Sequence, residues 1–263
     1  ACLVQKAASA GAEIISGARV RKILAGDGVF SIRAGERTFR GKILAGADGA
    51  RSIVARTFAL AAQVSCAVTL DSHLALSPEE AVRHQGTIRA DYGLLKRGYA
   101  WVFPKKERLS VGAGIMRGPA AEIRPALQKL VRALGHGNAG LLSRARGWIL
   151  PFNPFPKRLH SGPALILGDA AGLVDPFTGE GIYHALKSAR LAAGIIAGQI
   201  RNPYPDLSGY SALVKAEIGP ELAAAFRLSR LFYRGAPFYH RLLQRHPGLA
   251  SEFLQLLAGK GSY

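Results

Sequence analysis

The sequence predicts a mixed α/β fold in which a parallel sheet is interrupted by an antiparallel sheet and followed by helices. Three observations predict this class. Short apolar segments at residues 43–45 and 164–167 lead into turns rich in Gly and Asp, as buried parallel strands do. Strand-like segments separated by turn residues fill residues 61–146. Helical periodicity dominates after residue 180.

The N-terminal part is predicted to begin with a helix and to continue with strands. Residues 1–10 have helical periodicity, and Gly11 is expected to end that helix. The stretch "AEII" at residues 12–15 is predicted to be a short strand, and a β-hairpin turning near Ala34-Gly35 follows it. The first helix is expected to place four apolar residues on one face: Leu3, Val4, Ala7 and Ala8.

The next strand and helix are predicted from an apolar run and a capping residue. The strand Ile43–Ala45 ends at Asp48-Gly49. The hydroxyl of Ser52 is expected to cap the helix that begins there.

Residues 61–146 are predicted to form an inserted unit with an antiparallel sheet. Its helix is expected in "AAEIRPALQKLVRAL", and its strands in "QVSCAVTL", "GTIRADYG", "GYAWVFP" and "RLSVGAGIM". A Pro-rich connection leads from this unit to "ALIL", which is short and wholly apolar and is therefore expected to be a strand buried on both faces.

The rest of the chain is predicted to be helical. Residues 180–198 are expected to form an amphipathic helix, and two more helical segments close the chain. The predicted apolar face of the first helix consists of Ile182, Ala185, Leu186, Ala189, Ala193 and Ile196.

Charge and cysteine content restrict the expected surroundings of the chain. Lys and Arg total 35 against 17 Asp and Glu, a net charge of +18, which favours contact with anionic surfaces or phosphorylated ligands. An evenly solvated Arg-rich surface explains the charge equally well. With only Cys2 and Cys66, a reducing, cytoplasmic compartment is expected. The longest apolar runs, about eight residues, are far short of the roughly 20 that span a bilayer.

Two acidic turns are the candidate ligand-binding features. In "ALILGDAAG" the carboxylate of Asp169 follows a buried strand, at the sheet edge where α/β proteins bind ligands and where it could accept hydrogen bonds from hydroxyls. The Gly residues that follow allow close backbone approach, and the next helix directs free N–H groups there. The segment "GADGARS" repeats the arrangement with Asp48, Gly49 and Arg51. Each could instead be a simple turn or cap.

A row of aromatic residues is the third candidate feature. In a strand, Tyr99, Trp101 and Phe103 place all three rings on one face, where they could form the floor of an apolar pocket or pack in an ordinary sheet core.

Together these segments resemble the geranylgeranyl reductases, a family within the flavoprotein superfamily that also includes aromatic hydroxylases. Two internal motifs of that superfamily are similar to the segments "GADGARSIVAR" and "GDAAGLVDPFTGEGIYHALKS". The reductase pattern Y-x-W-x-F-P, followed seven residues later by G-x-G, is similar to the segment "YAWVFPKKERLSVGAG". The two glycines of its G-x-G are Gly112 and Gly114. Hydroxylases usually have His, Gln and Asn where this chain has Gly172, Glu180 and Tyr183.

The resemblance implies a reductase that saturates carbon–carbon double bonds of a geranylgeranyl or other polyprenyl group, with FAD as cofactor and NADPH or ferredoxin as alternative electron donors. It implies a substrate surface at Tyr99, Trp101 and Phe103, whereas it assigns no proton donor. The implied cofactor-binding residues are Asp48, Gly49, Arg51, Gly168, Asp169, Pro176, Gly179, Gly181 and Ile182. An FAD-dependent aromatic monooxygenase or halogenase is the alternative within the superfamily.

The chain departs from the superfamily in one respect. The βαβ unit with G-x-G-x-x-G that normally binds the pyrophosphate does not occur in the sequence. We therefore expect an incomplete Rossmann-like FAD-binding domain at 1–60 and 147–200, a substrate domain at 61–146, and a helical segment at 201–263. Such a chain is expected to bind flavin weakly on its own.

A basic, aromatic segment near the C-terminus suggests contact with a membrane. Arg227, Arg230 and Arg234 recur at helical spacing among aromatic and aliphatic residues. Such a helix is typical of an anionic membrane surface, here the inner face of the membrane, or is simply solvated. No metal site and no nucleic acid are expected, although a non-catalytic basic protein that binds membrane or nucleic acid remains the alternative from another class. The apolar members of the segment are Leu228, Leu231, Phe232, Tyr233, Phe238 and Tyr239.

Overall fold

The computed structural model describes residues 2–61, 64–116, 118–136 and 144–257. Three of the predicted segments therefore include positions outside the described residues: the first residue of the N-terminal helix, Gln63 at the start of "QVSCAVTL", and residues 258–263.

The described residues form a mixed α/β fold with three sheets, as predicted. The strands are β1 (Val20–Gly26), β2 (Val29–Ala34), β3 (Arg37–Gly41), β4 (Leu44–Gly46), β5 (Ser65–Ala75), β6 (Arg89–Asp91), β7 (Gly98–Pro104), β8 (Arg108–Ile115), β9 (Arg146–Phe152), β10 (His160–Ser161) and β11 (Ala164–Ile166). The helices are α1 (Cys2–Ser9), α2 (Ile53–Thr57), α3 (Pro78–His84), α4 (Ile123–Ala133), α5 (Ile182–Gln199), α6 (Ser208–Glu217), α7 (Gly219–Arg234), α8 (Ala236–Arg245) and α9 (Pro247–Leu257).

The first sheet is a meander of β1, β2 and β3. Asp27 and Gly28 join β1 to β2 with φ values of 51° and 72°, as a two-residue hairpin turn requires. The predicted hairpin near Ala34-Gly35 is confirmed, because Ala34 pairs with Arg37 across the turn between β2 and β3.

The second sheet has the order β10-β11-β4, and β11 runs parallel to β4. Ala164, Leu165 and Ile166 of β11 are completely buried, which confirms the expectation from the apolar run "ALIL". Ser52 caps α2 as predicted, since its Oγ accepts a hydrogen bond from the amide of Ala55 at 2.8 Å.

The third sheet is antiparallel, in the order β6-β7-β8-β5-β9. Helix α4 packs on one face of it. That helix buries five apolar residues with helical spacing: Ile123, Ala126, Leu127, Leu130 and Val131. Burial of each of the larger side chains among them stabilises the fold by roughly 1.5–3 kcal/mol. The other face carries the candidate substrate residues. Strand β9 extends this sheet to residue 152.

The predicted N-terminal helix is confirmed as α1, and its apolar residues Leu3 and Val4 are solvent-exposed, 65% and 53% accessible. Two sequence predictions on the N-terminal and C-terminal elements are wrong. Residues 12–15 form no strand. After α5 the described chain continues with four helices, α6 to α9, rather than two, because Gly219, Gly235 and Pro247 divide the periodic pattern.

The buried face of α5 also differs from the predicted one. Its buried residues are His184, Ser188 and Ala192, whereas Ile182 is 76% and Leu186 51% exposed. The polar face turns inward because the turn after β11 lies against it, where the amide of Gly168 donates to Ser188 Oγ at 3.1 Å.

Candidate functional site

The two acidic turns lie at the same edge of the parallel sheet. Residue Gly46 of β4 pairs with Ile166 of β11, and the amide of Leu167 donates to the carbonyl of Gly46 at 2.9 Å. Both turns follow the carboxyl ends of neighbouring parallel strands, which is where α/β sheets bind ligands. The structure therefore brings the segments with Asp48 and Asp169 to one side of the molecule.

Asp48 has a structural contact of its own. Its Oδ2 accepts a hydrogen bond from the amide of Ile53 at 2.6 Å, so the carboxylate caps α2. Gly49 has φ +75°, and its carbonyl accepts from the amide of Ser52 at 3.0 Å. Arg51 is exposed beside this turn. These contacts support the alternative that the segment is a helix-capping turn. A role of Asp48, Gly49 and Arg51 in binding a cofactor stays a prediction.

Asp169 lies in a short 3-10 turn, Gly168–Ala171, that is seated directly on α5. A Cβ at Gly168, which has φ +49°, would come within 2.9 Å of the Ala185 Cβ. A Cβ at Gly181 would lie 3.1 Å from Asp169 Oδ1, so a side chain there would press on the carboxylate. Partial burial, and secondarily the nearby Glu180, raise the pKa of Asp169.

A loop held by Asp175 connects the 3-10 turn to α5. The Asp175 side chain is buried, and its Oδ1 accepts hydrogen bonds from the amides of Phe177 at 2.7 Å and Thr178 at 2.8 Å. Asp175 was not among the predicted site residues. A carboxylate that accepts from the amides two and three residues further along the chain forms an Asx turn, and Asp before Pro is a signal for such a turn. Pro176, a predicted site residue, is buried within the loop.

Tyr99 joins the aromatic motif to this loop. Its hydroxyl donates a hydrogen bond to the carbonyl of Thr178 at 2.5 Å. Burial, and secondarily Asp175, raise the pKa of Tyr99 to about 12, so the phenol stays protonated and remains a donor at neutral pH. Gly179 follows with φ +77°, and a Cβ there would lie 3.7 Å from the Tyr99 hydroxyl. Two motifs far apart in sequence therefore meet at one hydrogen bond.

The three predicted rings lie on one face of β7, as expected from their alternation. The ring centroids of Tyr99 and Trp101 are 5.7 Å apart, and those of Trp101 and Phe103 are 6.1 Å apart. Trp101 pairs with Gly112 on β8, and a Cβ at Gly112 would come within 2.1 Å of the indole. The first Gly of the G-x-G pattern therefore gives the Trp101 ring room to lie against β8.

A cavity of about 520 Å³ lies between these rings and the loop. We call it the ring-lined cavity; Tyr99, Trp101 and Phe103 form one wall, and Pro176, Thr178, Gly179 and Glu180 form another. Its size and apolar lining are those of a small-molecule site. Trp148 and Asp71 also line it, joined by a hydrogen bond of 2.8 Å from the indole to Asp71 Oδ1.

The first turn of α5 lies next to this cavity on the side of Asp169. The side chain of Glu180 caps the helix, since its Oε1 accepts from the amide of Tyr183 at 2.9 Å. Ile182, predicted to present backbone to a cofactor, begins the helix and points its side chain to solvent.

Sequence comparison finds relatives among prenyl reductases, whereas no protein-family model matches the chain. The chain is 30% identical to an uncharacterized protein of Methanosarcina barkeri, over 93% of this chain and 62% of that protein. It is 31% identical to a geranylgeranyl diphosphate reductase of Synechocystis over 73% of this chain and 49% of the relative. It is 30% identical to a digeranylgeranylglycerophospholipid reductase of Methanopyrus kandleri over 88% and 62%. The chain thus spans less than two thirds of these relatives.

Solved structures show the same fold. A geranylgeranyl bacteriochlorophyll reductase-like protein from Thermoplasma acidophilum superposes with a TM-score of 0.70 at 18% identity, covering 88% of this chain and 62% of that one. HpxO of Klebsiella pneumoniae, solved with FAD and uric acid, superposes with a TM-score of 0.62 at 16% identity, covering 93% and 65%. The predicted resemblance is therefore confirmed: the chain is a homologue of the geranylgeranyl reductases and has the fold of FAD-dependent flavoproteins.

Proposed function

We propose that this chain forms the substrate cavity and part of the cofactor site of a reductase that saturates carbon–carbon double bonds in a geranylgeranyl or other polyprenyl group. The observation that carries the proposal is the hydrogen bond between the Tyr99 hydroxyl and the Thr178 carbonyl. It holds an apolar cavity against the Gly-rich segment that the resemblance assigns to the cofactor. A long hydrocarbon fits such a lining because few polar groups compete for it.

The residues beside the ring-lined cavity fit a flavin. Asp169 offers a partly buried acceptor, and Gly179 and Gly181 leave the backbone uncovered where a flat ring would approach. Asp169 would hold the ribityl chain, while the backbone at Gly179, Gly181 and Ile182 would face the pyrimidine edge. Gly168 and Pro176 would shape the turn around it. The turn residues Asp48, Gly49 and Arg51 would lie near the middle of the cofactor.

When bound, reduced FAD supplies a hydride, and a proton completes the saturation of the double bond. The residues of this chain position the reactants and exclude water. The rings of Tyr99, Trp101 and Phe103 hold the hydrocarbon against the loop and replace water along it. Asp175 fixes the loop through the amides of Phe177 and Thr178, so that the backbone at Gly179 keeps one position.

Product analysis tests the proposal directly. The chain is incubated with saturating FAD, dithionite and geranylgeraniol, and the alcohol is analysed by mass spectrometry. We expect products that have gained one molecule of hydrogen for each saturated bond, and we expect Trp101→Ala to reduce their yield at least tenfold. Unchanged alcohol in the presence of bound flavin would contradict the proposal. Oxygen consumption driven by NADPH with an aromatic substrate would instead favour a hydroxylase.

We also propose that the chain contacts membranes peripherally, since its substrate would be a prenyl lipid. Within the described ranges, every helix is too short or too polar to span a bilayer. Leu231 and Phe238 are 57% and 60% exposed, and Arg227 and Arg234 of the same segment are exposed as well. Phe232 and Tyr233 instead pack inward against Phe177, contrary to the surface position predicted for them. Liposome flotation tests this contact, and equal recovery with neutral and anionic vesicles would contradict it.

A further inference from the structure

The ring-lined cavity lies on the face of the third sheet opposite helix α4, and the strand order gives it the form of a trough. The two central strands, β8 and β5, make its floor, where Gly114 pairs with Thr69. The rings of β7 stand along one side. Strand β9, at the other edge of the sheet, contributes Trp148 and Leu150. The trough therefore runs along the strands, between the rings and β9.

The two ends of this trough differ in chemistry. At one end lies the Gly-rich loop, since a Cβ at Gly179 would be 3.4 Å from Leu150 Cδ1 and 3.7 Å from the Tyr99 hydroxyl. In the opposite direction, the row of paired residues beyond Tyr99 contains Trp101 and Asp71. Two residues of a strand span roughly 7 Å. A carboxylate thus faces the trough one row of side chains beyond the loop end.

Trp148 directs its indole toward this carboxylate. It pairs with Thr69 in register, yet its Nε1 donates a hydrogen bond to Asp71 Oδ1 at 2.8 Å. The side chain therefore extends along the trough, from its own row into the row of Asp71. On the other side, the Trp101 ring lies against Gly112, the β8 residue that pairs with Asp71. The two indoles thus flank the trough over adjacent strands, whose backbones are about 4.8 Å apart.

Trp148 and Asp71 have opposite preferences for a hydrocarbon ligand. The only polar atom of the Trp148 side chain is engaged by Asp71, while 55% of the residue is accessible. Covering such an aromatic surface with hydrocarbon is favourable. Covering the carboxylate is unfavourable, because hydrocarbon removes water from it and supplies no hydrogen-bond donor. A prenyl chain therefore gains free energy as far as the indole and loses free energy beyond it.

We propose that Trp148, held by Asp71, limits how far a prenyl chain extends along the ring-lined cavity and so selects the length of hydrocarbon that the site accepts. This inference rests on the proposed function and adds a specificity-determining residue to it. Trp148 contacts the chain itself, whereas Asp71 is a positioning residue that orients the indole. Because the limit lies at a constant distance from the Gly-rich loop, it also determines which double bond stands beside Gly179.

The protein offers a matched control for the loss of an exposed ring. Phe155 follows β9 and is 54% exposed, but it does not line the ring-lined cavity. Trp148→Ala is therefore compared with Phe155→Ala. A second pair of variants separates the hydrogen bond from the volume of the side chain at residue 71. Asp71→Asn keeps an oxygen that can accept from the indole, whereas Asp71→Val has none. Melting temperatures check that each variant is folded.

Calorimetric titration with prenyl alcohols of increasing length measures the limit. The series is geraniol, farnesol, geranylgeraniol and geranylfarnesol, in which each alcohol is one isoprene unit longer than the one before. Since burial of each added methylene favours binding, the dissociation constant should fall along the series until the chain reaches Trp148, and then stop falling. In Trp148→Ala the fall should continue for at least one more unit. The affinity for the first alcohol beyond the wild-type limit, relative to the alcohol at the limit, should rise about tenfold.

The other variants test how the limit is set. Asp71→Val should move the limit in the same direction as Trp148→Ala, because the indole loses its acceptor. Asp71→Asn and Phe155→Ala should both keep the wild-type limit. A shift in Asp71→Asn as large as that in Asp71→Val would contradict the positioning role of Asp71, and a shift in Phe155→Ala would assign the effect to a general loss of ring surface.

The remaining outcomes separate this inference from the proposed function. Affinity that rises through the whole series in the wild-type chain, or a limit that Trp148→Ala leaves unchanged, would overturn the inference while the proposed function stands, because the alcohols still bind. If none of the alcohols binds to the folded wild-type chain, the proposed function fails as well.

Discussion

The segment from Gly168 to Gly181 separates two surfaces that are constructed differently. On one side, the ring-lined cavity is lined by side chains of this chain, and the bond from Tyr99 to Thr178 joins two of its walls. On the other side, Asp169 and the glycines lie next to a helix whose apolar residues, Ile182 and Leu186, are exposed. Substitutions on the cavity side should therefore change stability and shape. Substitutions on the Asp169 side should change ligand binding at little cost to the fold.

The largest effect is expected at Gly112, under the Trp101 ring. In Gly112→Leu the new side chain would overlap the indole, because even a Cβ would lie 2.1 Å from it. Overpacking of this kind should lower the free energy of unfolding by about 3 kcal/mol and displace the ring. Urea unfolding with Trp fluorescence measures both changes. Gly26→Leu is the control, since no atom lies within 4 Å of a Cβ there. A similar loss in the two variants would contradict the account.

A smaller effect is expected at Asp175. In Asp175→Ala the amides of Phe177 and Thr178 lose their acceptor in a mostly buried loop. The free energy of unfolding should fall by about 2 kcal/mol, because unsatisfied buried donors are costly. Chemical denaturation measures the loss. Asp175→Asn retains an acceptor oxygen and should recover part of it; equal losses in both variants would show that these bonds are not the cause.

Removing the Tyr99 hydroxyl should have a smaller effect still. Tyr99→Phe keeps the ring but loses the bond to Thr178, which should cost about 1 kcal/mol of unfolding free energy. Because the folded pKa of Tyr99 is raised to about 12, its contribution is complete below the unfolded tyrosine pKa and is lost as pH rises through about 12. The stability difference between wild type and variant should thus be constant around neutral pH. A difference that changed between mildly acidic and neutral pH would contradict this assignment.

The smallest effect on stability, with the opposite sign, is expected at Asp169. Burial raises the pKa of this carboxyl, so the folded state is favoured at low pH and loses that contribution as pH rises through the raised pKa. Asp169→Asn removes the charge, and at neutral pH it should raise the melting temperature by about 1–2 °C. The same variant should bind FAD more weakly, measured by flavin fluorescence quenching. A lower melting temperature, or unchanged flavin affinity, would contradict the assignment of Asp169.

Local sequence signals predicted much of this architecture. The run "ALIL" predicted a buried parallel strand, and the alternation of Tyr99, Trp101 and Phe103 predicted a shared face, since both depend only on periodicity along one strand. The turn at Asp27-Gly28 is an equally local signal for a hairpin, although β1, the strand that precedes it, was not among the predicted elements.

The remaining features depend on contacts between distant segments. The buried face of α5 could not be predicted from apolar spacing, because Ser188 is buried by its bond to the Gly168 amide, and that contact depends on tertiary packing. A cavity of about 800 Å³ is likewise lined by both Lys96 and Arg230, which only the folded chain brings together.

Photolabelling tests the central claim most directly, namely that a polyprenyl chain lies between the rings of β7 and the Gly-rich loop. The chain is irradiated with a diazirine-bearing geranylgeraniol, and the labelled peptides are identified by mass spectrometry. We expect labels in peptides that contain Tyr99–Phe103 and Pro176–Glu180, and we expect unlabelled geranylgeraniol to suppress both. Labels confined to other parts of the chain, or labels that geranylgeraniol does not suppress, would contradict this claim.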